Sequence, residues 1–149
     1  QLLAAPGELV VSADLSWLDL WSKRSSAPLS DAETFRLNEL GGISEIGNNP
    51  NGFGSIEGQY RGFIKLGKGY VQRFLEICDA IKSSCAVDEF NNIQMTKLIM
   101  QFIDRGENVQ ACLSHHGWLE FDNSTDLEIY EDLERKKQLV SLIDMSTFR

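Results

Sequence analysis

No run of about 18 apolar residues occurs, so no helix able to cross a bilayer is expected. Basic side chains are scarce: 14 Lys and Arg stand against 22 Asp and Glu, a formal charge of −8. Affinity for nucleic acid comes largely from cations that displace counterions from phosphate, so this balance argues against a nucleic-acid partner. The three cysteines, Cys78, Cys85 and Cys112, are odd in number and lack CxxC spacing. They outline neither a disulfide framework nor a zinc site, and a reducing cytoplasm suits them. Gln1 to Pro6 carries no initiator methionine and no basic leader, so it reads as a chain already in progress rather than a signal peptide. Internal repeats and low-complexity tracts are also lacking.

What remains is ordinary globular material. At 149 residues, 42% apolar and 24% charged, residues 1–149 fit one domain with a real core. Leu9 to Ala13 reads as a strand, and Trp17, Leu18, Leu20 and Trp21 follow at helical spacing. Residues 34–37 and 43–46 flank Gly41-Gly42 as a β-hairpin, and the Asn- and Gly-rich stretch 47–54 reads as a loop. A strand over 59–66 leads into a helix carrying Val71, Phe74, Leu75, Cys78 and Ile81. A second helix is expected from about Asn92 to Arg105, closed by Gly106 in a left-handed conformation. Residues 109–113 and 118–121 read as two strands, and Asn123 with Asp126 as a capping box opening a helix that carries Leu127, Tyr130, Leu133 and Leu139. Strands alternating with helices predict an α/β domain with a layered sheet.

The segment Gly117 to Leu127 is richest in chemistry. On a strand, Trp118, Glu120 and Asp122 share one face, so two carboxylates project together at its end. In open α/β sheets ligands gather beyond the carboxyl ends of strands, and a helix N-terminus there attracts a metal-bound phosphate. The alternative is that Asp122 caps the helix and Glu120 is solvated. Adjacent His115 and His116 cannot face one site from a regular strand, so a turn is their simpler home. Trp17 and Trp21, four apart on a helix, suit a core or an interface better than a stacking platform.

Trp118-Leu119-Glu120-Phe121-Asp122 followed by Asp126-Leu127 resembles the W-x-E-[IVF]-D-x-x-x-D-L motif that closes the catalytic domain of sugar nucleotidyltransferases and of phosphocholine or phosphonate cytidylyltransferases. Residues 29–35, 56–63 and 95–106 match further family stretches in the family's order. The resemblance implies the C-terminal half of a Rossmann-like mixed sheet flanked by helices, of the nucleotide-diphospho-sugar transferase type. It implies a Mg2+-dependent transfer of a nucleotidyl group, CMP from CTP, to a phosphate or phosphonate acceptor, releasing pyrophosphate. By the same resemblance Asp122 would be catalytic and hold the metal, Glu120 would support it, and Gly58, Gln59 and Tyr60 would bind the acceptor. Thr96 lies in a helix motif where relatives often carry an aspartate and this chain has Gln94.

The family's glycine-rich L-x-A-A-G-x-G-x-R loop, its later lysine and a further metal aspartate are missing; Leu3 to Gly7 resembles the loop only superficially. The N-terminal, nucleotide-binding half is therefore expected to be absent and the chain inactive alone, because a single carboxylate cannot orient a triphosphate. Such a half would leave apolar surface exposed, so a homo-oligomer or a complex with the missing half is expected. The competing reading is a non-catalytic binding or dimerisation module that keeps the fold.

Overall fold

A computed structural model describes residues 1–143. Its centre is β1 (Leu9–Asp14), six residues all buried, which pairs on one side with β4 (Gln59–Leu66) and on the other with β5 (Val109–Ser114). β1 runs antiparallel to β4 and parallel to β5, a mixed three-stranded sheet in the order β4-β1-β5. A central strand has no solvated face, which is why Leu9-Val10-Val11 reads as a continuous apolar run. The hairpin β2 (Phe35–Leu37) and β3 (Ile43–Ile46) forms a separate two-stranded sheet. Among the described residues one isolated backbone bridge, Gly42 to Gln110, joins it to the main sheet.

Five α-helices and short 3-10 turns clothe these strands. α1 (Trp17–Arg24) follows β1, while α2 (Val71–Ser84), the short α3 (Val87–Asn91) and α4 (Met95–Asp104) lie between β4 and β5. α5 (Ser124–Arg135) follows β5, and a 3-10 turn over Leu139–Ser141 completes the described chain. The alternate residues Leu9, Val11 and Ala13 of β1 bury against Phe35, Ile43, Ile46, Ile77, Ile81, Ile99 and Phe102. Each such Leu, Ile or Phe contributes about 1.5–3 kcal/mol by leaving water. A second core gathers Trp17, Leu20 and Trp21 of α1 with Tyr130 and Leu133 of α5. Trp17 and Trp21 meet edge-on at 5.9 Å, so this pair is core.

The α/β reading with a mixed, helix-flanked sheet therefore holds, and the capping box of α5 forms as expected. Gly106 takes φ +81 after α4, where its amide and that of Glu107 close the last turn onto Ile103 and Phe102. Two expectations need correction. Trp118 to Phe121 is not a strand: it is irregular chain held by side chains and a turn, with the Tyr130 hydroxyl donating to the Glu120 carbonyl at 2.8 Å and Gly117 N to Leu142 O at 2.8 Å. The helix expected over 92–105 is α4, starting three residues later: residues 92–94 turn after the short α3, where the Asn92 side-chain amide bonds the Asp88 carbonyl at 2.7 Å. The final helix stops at Arg135, where Lys137 at φ +58 makes a left-handed exit and puts Leu139 in the separate 3-10 turn.

Candidate active site

Strand register assembles the site. Asp14 ends β1 opposite Ser114, the last residue of parallel β5, and opposite Gln59, the first of antiparallel β4. The segment leaving β5 must pass over this edge, and Asp14, 1% exposed, pins it there. Its Oδ1 accepts Ser16 N at 2.8 Å and His116 N at 2.9 Å, while Oδ2 accepts Trp118 Nε1 at 2.9 Å. A buried carboxylate is tolerated only with such partners. His116 and Gly117 take φ +51 and +83, so the two histidines sit in a turn. His115 shares a hydrogen bond with the Ser16 hydroxyl at 2.8 Å, and His116 faces Asp19 at 3.5 Å.

Beyond that turn, Glu120 and Asp122 come together without a strand, because both reach the guanidinium of Arg24 at the end of α1. Arg24 donates through Nε to Asp126 Oδ1 at 2.9 Å, through Nη2 to Asp126 Oδ2 at 3.2 Å and to Asp122, and through Nη1 to Glu120 at 3.2 Å. Asp31 stands 3.6 Å away. The Arg24 side chain is 6% exposed and that of Asp126 4%, so the charges meet out of water. Burial is the largest single influence on Arg24 and would lower its basicity, yet its hydrogen bonds to Asp126 and Asp122 and the charges of Glu120 and Asp126 together outweigh burial and raise it. The Arg24 bond holds Asp126 below the usual carboxylate range. Glu120 moves the other way, to about 7, because burial and the neighbouring Asp122 charge outweigh Arg24.

Glu120 and Asp122 border a cleft of about 340 Å³ that Gln59 and Tyr60 also line, with Trp21, Asp31, Glu33 and Thr96 among the rest of its wall. Four of the residues singled out by resemblance thus lie in one cavity. Gly58 does not line it: Gly58 is buried against the Asp14 carbonyl, 3.3 Å from where a Cβ would stand. Gln59 is engaged at both ends of its amide, donating to Glu33 O at 2.5 Å and accepting from Glu33 N at 3.3 Å, so it fixes the 31–34 segment. Tyr60 is half-buried, and burial raises its hydroxyl's pKa. Thr96 donates to the Glu33 carboxylate at 3.2 Å and packs against Gly47, where a Cβ would come within 2.7 Å of it. Trp21 is buried with its indole Nε1 unpartnered among the described residues. A larger groove, about 1020 Å³ between α2, α3 and α4, holds none of these residues.

The expected anion site at the start of α5 is already filled. Asp126 Oδ2 accepts Asp122 N at 2.9 Å and Asn123 N at 3.2 Å, and Asn123 Oδ1 accepts Thr125 N and Asp126 N. Carboxylate and amide caps stand where a phosphate would, so that part of the motif is structural. Arg24, Asp14, Asp31 and Glu33 were not singled out from the sequence. An acidic residue ending the first strand was a usable signal for Asp14.

Compared with characterised proteins, the chain is 33% identical over 131 residues to the CTP:phosphoglutamine cytidylyltransferase of Campylobacter jejuni. This chain is a relative of a nucleotidyltransferase. The match covers 87% of the chain and 51% of that enzyme, so the chain spans about half the length of the relative. The resemblance carried by the tryptophan-bearing motif is thereby borne out. No family model matches the chain, and no solved structure does, so the Rossmann-like assignment rests on the sequence resemblance. Among the described residues no helix is long and apolar enough to cross a membrane.

Proposed function

We propose that this chain supplies the acceptor-binding part of a nucleotidyltransferase that moves a nucleotidyl group, CMP from CTP, onto a phosphate or phosphonate oxygen and releases pyrophosphate. The observation that carries the reading is the convergence of Asp122 and Glu120 with Gln59 and Tyr60 on one cleft. A similarity to a cytidylyltransferase over 87% of the chain supports the reaction class. In this reading the triphosphate is cradled by residues outside these 149, which contain no glycine-rich phosphate loop, and the chain has no activity by itself.

The donor chemistry suits Mg2+, which is commonly held by one or two carboxylates together with substrate phosphates and water rather than by an all-protein cage. Asp122 would hold it, with Glu120 beside it. Each keeps one carboxylate oxygen clear of hydrogen bonds to the described residues, Asp122 Oδ1 and Glu120 Oε1, while the other oxygen is tied to Arg24. When bound, the ion would neutralise charge on the transferring phosphate. Glu120, with a pKa near 7, can hold or release a proton in the neutral range beside the acceptor. Tyr60 offers a hydroxyl that no described residue occupies, and Gln59 keeps the facing loop in place.

The test joins the chain to the glycine-rich half of a related cytidylyltransferase and measures pyrophosphate release from CTP with phosphate and phosphonate acceptors. Turnover should require both CTP and acceptor and should fall about 100-fold or more in Asp122→Ala, since orientation and charge neutralisation both depend on that group. Equal turnover in both proteins discards the assignment of Asp122. One observation favours the second reading, a binding module without chemistry: among the described residues no group of three His, Cys, Asp or Glu is arranged to hold a metal. Acceptor binding of equal strength with and without Mg2+, with no turnover in the joined protein, selects that reading.

A further inference from the structure

Arg24 does not line the cleft; it lies behind Glu120 and Asp122, two of the four acidic residues that do. One guanidinium there does three jobs with a fixed planar fork. Its Nε and Nη2 take both oxygens of Asp126, which is itself locked by the amides of Asp122 and Asn123. With that edge fixed, Nη1 and Nη2 have little freedom left, and each takes one oxygen from a cleft carboxylate, Glu120 Oε2 and Asp122 Oδ2. The unbonded oxygens, Oε1 and Oδ1, are what the cleft receives. Trp21 supports the guanidinium from a flank, its ring 5.4 Å from Cζ. The segment has no strand ladder; its backbone is held at Asp122 N by Asp126 and at the Glu120 carbonyl by Tyr130, and the fork adds the bonds that hold the carboxylates themselves.

We infer that Arg24 is the positioning residue of this site: it aims Asp122 and Glu120 into the cleft and thereby sets the chain's affinity for a divalent cation. The inference rests on the assignment of Asp122 as metal ligand under the proposed function. Lysine cannot substitute, because a single ammonium supplies point donors without the fork and reaches at most part of the set. Outer partners of metal ligands are worth roughly 10- to 100-fold in affinity.

The experiment titrates the chain with Mn2+ and reads bound ion by electron paramagnetic resonance, beside circular dichroism and thermal melts that report folding. Arg24→Lys conserves charge, so its effect is not a change in net electrostatic attraction; it should fold and bind Mn2+ at least about 10-fold more weakly. Asp126→Asn, which loosens the anchor while leaving Arg24 in place, should weaken binding in the same direction. Asp122→Asn should abolish it. If Asp122→Asn loses Mn2+ but folded Arg24→Lys and Asp126→Asn both bind like the unaltered chain, the positioning role is overturned and the metal assignment stands. If Asp122→Asn binds unchanged, or the unaltered chain binds no Mn2+, the assignment fails and the inference with it. Should neither variant fold, the unaltered chain decides through NMR. Mn2+ should broaden the Arg24 Nε–H resonance at concentrations that leave those of Arg73 and Arg105 sharp, and uniform broadening or none overturns the inference.

Discussion

Arg24 grips both carboxylate oxygens of Asp126, Nε to Oδ1 at 2.9 Å and Nη2 to Oδ2 at 3.2 Å, joining the end of α1 to the start of α5. This pair is the point on which the second core and the cleft both depend. Asp126 also closes the capping box, so one side chain answers for a helix start and for the orientation of its neighbours.

Replacing Asp126 with alanine leaves a buried guanidinium short of its main partner and uncaps two amides. Breaking a buried pair by removing one member costs about 3–5 kcal/mol. Urea denaturation at neutral pH should register a loss of that size, and a loss below about 1 kcal/mol would show that the pair is solvated in practice.

Asp126 and Glu120 should oppose each other in pH dependence. Asp126 titrates below its ordinary value in the fold, so its stabilisation is present above the unfolded-state value and is lost as pH falls through the lower, folded one. Glu120 titrates near 7, above its ordinary 4.5, so its ionisation is costlier in the fold and stability declines as pH rises from about 4.5 to about 7. Glu120→Gln should flatten that decline, gaining on the unaltered chain as the pH is raised. Denaturation series at pH 5 and pH 8 check it, and a parallel pH response in both proteins would contradict it.

Gln59 and Tyr60, neighbours on β4, should behave differently. Gln59→Ala strips both the Glu33 amide and the Glu33 carbonyl of their side-chain partner, at about 1–3 kcal/mol for each buried group left unpaired. Tyr60→Phe removes a hydroxyl that bonds no described residue and should change stability by less than about 0.5 kcal/mol. Hydrogen exchange at Glu33 should speed up in the first variant only.

The reach of the sequence follows the reach of each interaction. The Asn123–Asp126 box and the left-handed Gly106 were legible because their chemistry spans three or four residues. Glu120 and Asp122 were placed together for a reason the structure does not use: the expected strand is absent, and an arginine 96 and 98 residues away gathers them instead. No periodicity reports a contact of that separation, and a lysine or arginine in the last turn of a helix is ordinary on dipole grounds alone. Gly58 was taken with its neighbours because the family stretch runs through all three, yet it packs beneath the β1 edge while Gln59 and Tyr60 face the cleft.

Asp14 gives the sharpest test of how the site is held. Its Oδ1 accepts two backbone amides and its Oδ2 the Trp118 indole, so all its partners are donors. Asparagine has the same shape but must present an amino group to one side. Facing the two amides with its oxygen sets that amino group against the Trp118 Nε1–H, which loses its bond; the opposite flip sacrifices two. The first orientation is the cheaper, so Asp14→Asn should cost about 1–3 kcal/mol. It should also shift the Trp118 indole Nε1–H resonance while leaving those of Trp17 and Trp21 in place. Because Trp118 begins the segment that carries Glu120 and Asp122, the same variant should loosen the cleft and weaken Mn2+ binding. An unmoved Trp118 resonance would mean that Asp14 does not hold this segment, and the cleft would then need another anchor.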